Sequence, residues 1–251
     1  MMVDHECRQR VIAISTVAAL RPAVVAGRTV VVFDVLRATT VMATALENGA
    51  VAVIPCLTPE AARELAAARP AGSALLAGER QSLPIPGFDL GNSPESFTRE
   101  LVAGKTVIMT TTNGTRALQA AQGAQRLFAG CLRNAPAVAR RLSGEPEIVL
   151  VCAGTEDEFD LSDALGVGAV IAALQESGEV EADDLSQALA ILFRASQVHL
   201  LKSVAASRHG RRLADLGLAD DLRFCMEYGV SPMVPEWRDG VLIPMPVGTR
   251  A

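Results

Sequence analysis

A repeated alternation constrains this chain more than any other feature: a short apolar run, then a polar turn, then a stretch with helical spacing. The apolar runs fall at 11–14, 29–33, 51–54, 74–77, 106–109, 126–129 and 148–152. Ala-rich stretches with the helical period lie at 39–48, 59–69, 93–103, 114–122 and 134–143. This repetition predicts a mainly parallel or mixed sheet, because parallel neighbours need a long crossover that a helix supplies. A run as uniformly apolar as Val30-Val31-Val32-Phe33 suits a sheet covered on both faces. Thr58-Pro59-Glu60 and Ser93-Pro94-Glu95 each place a cap residue before a proline at the first helical position. From about Ser162 the pattern becomes helical, predicting helices over 163–177 and 184–207. The Pro-rich tail over 234–247 is expected to hold a short strand near 241–243. The expectation is an α/β fold with a helical C-terminal part, in one unit over 1–251, either undivided or in two lobes.

The formal net charge of -5 argues against duplex DNA or an anionic membrane as the main partner, since both call for a basic face. A few arginines in a cleft would still hold a small anion. Aromatic residues are too scarce to build the stacking platforms of single-strand binders. Five cysteines, odd in number and without a CxxC pair, suggest neither a zinc site nor a disulfide framework, and a reducing cytoplasm is the expected compartment. No apolar run reaches the ~18 residues of a membrane span, and the charged N-terminal stretch lacks a signal-peptide core. GxxxxGK[ST], GxSxG and HExxH are all missing.

Five polar segments remain, most of them where a predicted strand ends, the place where open α/β sheets collect ligands. In Asp34-Val35-Leu36-Arg37-Ala38-Thr39-Thr40, Asp34 suits a hard cation or attack on phosphorus, and Arg37 can fork onto an anion. Thr39 and Thr40 open a helix whose free N–H groups favour an anion. An Asp cap beside a surface Arg fits this segment equally well. Thr110-Thr111-Thr112-Asn113-Gly114-Thr115-Arg116 crowds small donors and a guanidinium around a glycine, which favours an anion cradle over a plain Asn-Gly turn. Gly78-Glu79-Arg80, followed by the loop 86–95, offers Glu79 and Asp89 as cation ligands, and Arg80, Asn92 and Ser93 as anion donors. Cys152-Ala153-Gly154-Thr155 offers Gly154 and Thr155 as phosphate contacts, with Asp163 opening the next helix. Cys152, with no neighbouring histidine, reads as buried. Ser207-Arg208-His209-Gly210-Arg211-Arg212 either closes over an acidic substrate or forms a solvated basic helix end. Of the three histidines, His5 and His199 have no such neighbours and only His209 does.

Together these segments resemble the 2-phosphosulfolactate phosphatase family, the ComB-like proteins. The resemblance rests on 34–40, Gly78-Glu79-Arg80, Gly87-Phe88-Asp89-Leu90-Gly91-Asn92-Ser93-Pro94, Thr111-Thr112-Asn113-Gly114-Thr115-Arg116, 152–155 and Ser207-Arg208-His209-Gly210, in that order. It implies a three-layer α/β/α fold and a Mg²⁺-dependent phosphatase that cleaves 2-phosphosulfolactate to sulfolactate and phosphate, a step of coenzyme M biosynthesis. Asp34, Glu79 and Asp163 are then the candidate Mg²⁺ ligands, with Arg37 and the donors named above around a small acidic phosphorylated substrate. Two stretches depart from the family pattern: Ser162 stands where an acidic pair is usual, and Gln81-Ser82-Leu83-Pro84 replaces a Gly- or Lys-bearing version. Another 2-phospho-carboxylate substrate, or a non-catalytic binder of a phosphorylated metabolite, would use the same donors. The Ala-rich long helices would offer a face for a homodimer.

Overall fold

The structure, a computed structural model, describes residues 9–178 and 180–245; His5, Cys7 and the last two positions of the 234–247 tail lie outside them. Among these residues eleven strands form one mixed sheet. They are β1 Gln9–Ile14, β2 Thr29–Phe33, β3 Ala52–Pro55, β4 Ala74–Arg80, β5 Leu83–Pro84, β6 Thr106–Thr110, β7 Arg126–Gly130, β8 Glu147–Cys152, β9 Val180–Ala182, β10 Pro235–Arg238 and β11 Val241–Pro244. Their order across the sheet is β5-β4-β6-β3-β11-β10-β7-β2-β8-β1-β9. Helices cover both faces, giving the three-layer α/β/α architecture. The alternation of β2 shows why: Val31 and Phe33 enter one core with helices Ala135–Leu142, Leu161–Ser177 and Asp184–Ser196. Val30 and Val32 enter the other, with helices Ala38–Glu47 and Gly114–Ala120.

The sheet is two parallel blocks joined by an antiparallel hairpin. β4, β6 and β3 run parallel in one block; β7, β2, β8, β1 and β9 do so in the other. Between them sits the hairpin β10–β11, pairing Glu236 with Phe128 of β7 and Leu242 with Val53 of β3. Its turn, Asp239-Gly240, has positive φ at both residues, the two-residue geometry that matches strand twist. The expected strand near 241–243 is therefore the second arm of a hairpin whose first arm the pattern did not show.

Helix Ala38–Glu47 is buried along its whole length except Glu47. Three threonines are tolerated there because each hydroxyl donates to a backbone carbonyl behind it: Thr39 to Asp34 (2.9 Å), Thr40 to Val35 (2.8 Å) and Thr44 to Thr40 (2.8 Å).

Two expected helices are broken. In 93–103, Ser93-Pro94-Glu95 starts only a 3₁₀ turn, Pro94–Ser96, before a single helical turn at Arg99–Val102. Phe97 between them is drawn into the core, and the Asn48 side chain takes its carbonyl at 2.7 Å. The stretch 184–207 divides into helices Asp184–Ser196 and Leu200–Ala205 around a 3₁₀ turn, with His199 out of helical geometry. Elsewhere the capping logic holds: the Thr58 hydroxyl accepts from Ala61 N–H at 3.1 Å.

Helix Leu161–Ser177 packs closely on helix Asp184–Ser196 through Gly168, where an added Cβ would stand 2.2 Å from the Leu189 carbonyl oxygen. Gly168→Ala is expected to lower stability by about 3 kcal/mol through this overpacking, read as a lower urea midpoint at unchanged m-value.

Candidate active site

A cavity of about 210 Å³ opens where the strands of both blocks end. Asp34, directly after β2, and Glu79, on β4, line it together. These strands stand six steps apart in the sheet order, about 29 Å in a flat sheet at ~4.8 Å per step. That both line one cavity means that the sheet does not run flat between them.

Asp34 is anchored by its backbone and by one oxygen. Its N–H donates to Thr39 Oγ1 (3.0 Å), and Ala38 N–H donates to Oδ1 (3.2 Å). Oδ2 makes no protein hydrogen bond among the described residues. Gly114 leaves it room, since a Cβ there would come within 2.8 Å of Oδ2 and 2.6 Å of Ala38 Cβ. Burial raises the Asp34 carboxyl from 3.8 to about 6; the Ala38 N–H and His209 pull downward, while the charges of Glu79 and Asp160 push upward. Glu79 is held by Thr112, whose N–H (2.8 Å) and hydroxyl (3.0 Å) donate to Oε1, and by Ser82 N–H to Oε2 (2.7 Å).

Cations face these carboxylates. Helix Arg208–Asp215 starts with Ser207 accepting from Gly210 N–H at 3.0 Å; its first turn presents Arg208 and His209 to the cavity, and Arg212 lines it from the next turn. Arg37 also lines it, buried against Asp221 at 2.5 Å and donating to the Ser82 carbonyl at 2.9 Å. Asp221 in turn accepts from the Ser93 hydroxyl at 2.5 Å. The Leu36–Arg37 peptide is cis. His209 Nδ1 meets Asp160 Oδ2 at 2.7 Å.

For a hard cation the oxygens are of the right kind. Among the described residues Asp34 Oδ2 is open, Glu79 keeps free lone pairs, and Asn92 Oδ1 is buried at the cavity without a partner. Mg²⁺ needs only one or two carboxylates and keeps several waters, so this donor set fits it. Among the described residues no group of three or more His, Cys, Asp or Glu side chains converges as a cage.

Carboxylates able to hold a cation, three arginines and a histidine in one small cavity suit hydrolysis of a phosphate ester. A family model described as 2-phosphosulpholactate phosphatase matches residues 14–240. The chain belongs to the 2-phosphosulpholactate phosphatase family. A probable 2-phosphosulfolactate phosphatase of Symbiobacterium thermophilum is 42% identical over 220 residues, 87% of this chain and 94% of the relative. One of Caldanaerobacter subterraneus subsp. tengcongensis is 44% identical over 216 residues, 86% and 90% of the two chains. A third, of Clostridium beijerinckii, is 37% identical over 218 residues, 86% and 91%. By family this chain is a phosphoric monoester hydrolase, and the resemblance carried by the six motifs is borne out.

Not every residue in those phosphatase motifs reaches the cavity. Asp34, Arg37, Glu79, Asn92, Thr112, Asn113, Thr155 and His209 line it. Thr39 and Thr40 spend their hydroxyls inside the buried helix, and Thr111 and Thr115 cap each other, Thr115 Oγ1 donating to the Thr111 carbonyl at 2.8 Å. Arg80 is turned to Thr110 Oγ1 (2.9 Å) and the Leu57 carbonyl, Ser93 to Asp221, and Arg116 to an exposed pair with Asp157. Asp89 accepts from Leu76 N–H at 2.8 Å, away from the cavity lining. Asp163 is buried with both oxygens engaged, Oδ1 by Val35 N–H (2.8 Å) and Oδ2 by Gly154 N–H (2.9 Å), so it ties two strand ends together and leaves the cavity lining. Burial, with Asp160 and Asp34 nearby, pushes its carboxyl well up, against the pull of those two N–H donors. Cys56, Cys131, Cys152 and Cys225 are free and buried. No helix among the described residues is long and apolar enough to cross a membrane.

Sequence reasoning did not single out Asp160 or Asp221 as site residues, and it marked Gln81 and Ser82 only as a departure from the family pattern. Asp160 caps helix Leu161–Ser177, so its sequence signal is that of any N-cap. Asp221 follows Asp220 on a short helix and looks like a solvated acid until Arg37 is placed beside it.

Two outcomes are expected in metal-free buffer. The raised Asp34 carboxyl means that the folded state binds its proton more tightly. That contribution is complete below pH 3.8 and is lost as pH rises through about 6. Asp34→Asn should therefore gain about 3 kcal/mol over the natural protein at pH 8 and almost nothing at pH 3.5, by urea unfolding. Asp221→Ala should cost about 3–5 kcal/mol by leaving the Arg37 guanidinium buried without a counter-charge.

Proposed function

We propose that this protein is a Mg²⁺-dependent phosphatase that converts 2-phosphosulfolactate to sulfolactate and phosphate; its relatives are named as probable 2-phosphosulfolactate phosphatases. The observation that carries this reading is the coexistence, in one cavity, of Asp34 and Glu79 with Arg37, Arg208 and Arg212. A site that only bound a phosphorylated anion would gain nothing from two carboxylates and would lose affinity by repulsion. A substrate with phosphate, carboxylate and sulfonate groups needs more cations than one arginine supplies, and these side chains provide them.

Asp34 Oδ2, Glu79 and the Asn92 carbonyl oxygen would hold the Mg²⁺. When bound, the ion would neutralise phosphoryl charge and compensate the burial of Asp34. The protein's own groups do the rest. Thr112 and Ser82 fix the rotamer of Glu79 through three hydrogen bonds. Asp221 and the Ser82 carbonyl hold the Arg37 guanidinium in one plane, with donors left for an anion. Arg212 donates to the Gln81 carbonyl at 3.1 Å, so the β4–β5 turn and helix Arg208–Asp215 close one wall.

Phosphate release from 2-phosphosulfolactate should rise on adding Mg²⁺, fall with EDTA, and vanish in Asp34→Asn although that variant folds. Arg212→Met should lower kcat/KM about 10–100-fold, the worth of one charge-assisted hydrogen bond. A panel of phosphorylated 2-hydroxy acids fixes the substrate: if 2-phosphosulfolactate ranks among the poorest, the sulfonate part of the reading fails. Absence of phosphate release from every member removes the enzymatic reading.

A further inference from the structure

We propose that His209 is the general acid of this hydrolysis, delivering its Nε2 proton to the oxygen that leaves phosphorus, and that Asp160 is its positioning residue. The inference rests on the phosphatase reading of the same cavity. A phosphate ester of a secondary alcohol expels a poor leaving group, and a protonated side chain in reach of the bridging oxygen removes that penalty. Among the residues lining this cavity, arginines hold their protons too firmly to give one up, Asp34 and Glu79 are already committed to hold a cation, and Glu156 is exposed to solvent on a turn with φ 55°.

The geometry around the ring is specific. Asp160 is buried and accepts four hydrogen bonds: from Ser162 N–H (2.8 Å) and its hydroxyl (2.5 Å), from the Thr155 hydroxyl (2.6 Å) and from His209 Nδ1 (2.7 Å). Thr155 Oγ1 gives its proton to Asp160 and so presents only lone pairs to Nδ1, 3.2 Å away. Both neighbours of Nδ1 are thus acceptors, which keeps the proton on that nitrogen. Nε2 makes no protein hydrogen bond among the described residues, and the ring lines the cavity with 12% of its side chain exposed. Burial by itself would raise the Asp160 carboxyl, but the hydrogen bond and charge of His209, with Ser162 and Thr155, hold it well below the usual range. It therefore stays an anion that stabilises the imidazolium.

The step balances. The bond from phosphorus to the bridging oxygen breaks with its electron pair left on that oxygen, which takes the Nε2 proton. A water oxygen forms the new bond to phosphorus, and the surplus proton of that water restores the imidazolium through solvent. Ser162 gains a reason to stand where it does, because its hydroxyl and N–H both clamp Asp160.

The test uses the bridging-oxygen ¹⁸O isotope effect on phosphate release from 2-phosphosulfolactate, measured by internal competition in the Mg²⁺-loaded enzyme. His209→Gln should lose about 10²–10⁴-fold in kcat and show a larger isotope effect than the natural protein, because the oxygen now departs with its charge uncompensated. Asp160→Asn should lower kcat at nearly constant KM and move the isotope effect the same way. Thermal melts of both variants report folding separately. An isotope effect unchanged in His209→Gln overturns the general-acid assignment, as does an unchanged kcat. Loss of thermal stability in Asp160→Asn without loss of kcat overturns the positioning role. Failure of the natural protein to release phosphate from any phosphorylated 2-hydroxy acid defeats the function beneath both, and is told apart because it precedes any variant.

Discussion

Asp163 holds two neighbouring strand ends together with one carboxylate, accepting the Val35 N–H on one oxygen and the Gly154 N–H on the other. Several groups of the cavity are placed from those two points. Asp34 precedes Val35, and Thr155 follows Gly154. Asp160, three residues before Asp163 on the same helix start, orients His209. The group can do this in the interior because both of its oxygens are taken by backbone N–H donors, so burial leaves neither without a partner. The usual covering of a strand end by a polar loop is here replaced by a rigid tie between β2 and β8.

That tie has an electrostatic cost. Asp34, Glu79, Asp160 and Asp163 are all buried near one another, and the interior around them screens poorly. The protein offsets this unevenly. Asp160 receives three donors and a histidine and stays ionised, Glu79 receives three donors, and Asp34 receives one donor on its side chain and is left with a raised carboxyl. Such unequal treatment of like groups is typical of a site in which they have different tasks. Of the two buried carboxylates that line the cavity, Asp34 is the less compensated.

Much of this was legible in the sequence where burial and period speak together. β2 and β8 are continuous apolar runs because both faces are covered, and their ends locate Asp34 and Thr155 without coordinates. Asp34 and Arg37 stood out by residue type, and the structure keeps both at the cavity. Thr39 and Thr40 show where residue type misleads: a threonine that opens a helix reads as a donor to a ligand, yet in a helix buried all round its hydroxyl must serve its own backbone. Asp221 and Asp160 were illegible for the opposite reason, since their partners, Arg37 and His209, lie 184 and 49 residues away and no local pattern records a pair of that span. The arm Pro235–Arg238 was hidden because four residues beginning with proline carry little of a strand's alternation.

The hairpin β10–β11 gives the molecule an order of assembly. It sits in the middle of the sheet but follows all nine other strands along the chain. As the chain leaves the ribosome, the block that carries Glu79 and the block that carries Asp34 can each pair internally, yet nothing joins their inner edges until residues 235–244 emerge. The inner edge of β3 and, once residues 126–130 are made, that of β7 stay unpaired until then, a hazard for aggregation that long-range pairing brings. The cavity shared by both blocks is completed by the last strands to arrive, so catalytic competence and completion of the sheet are one event.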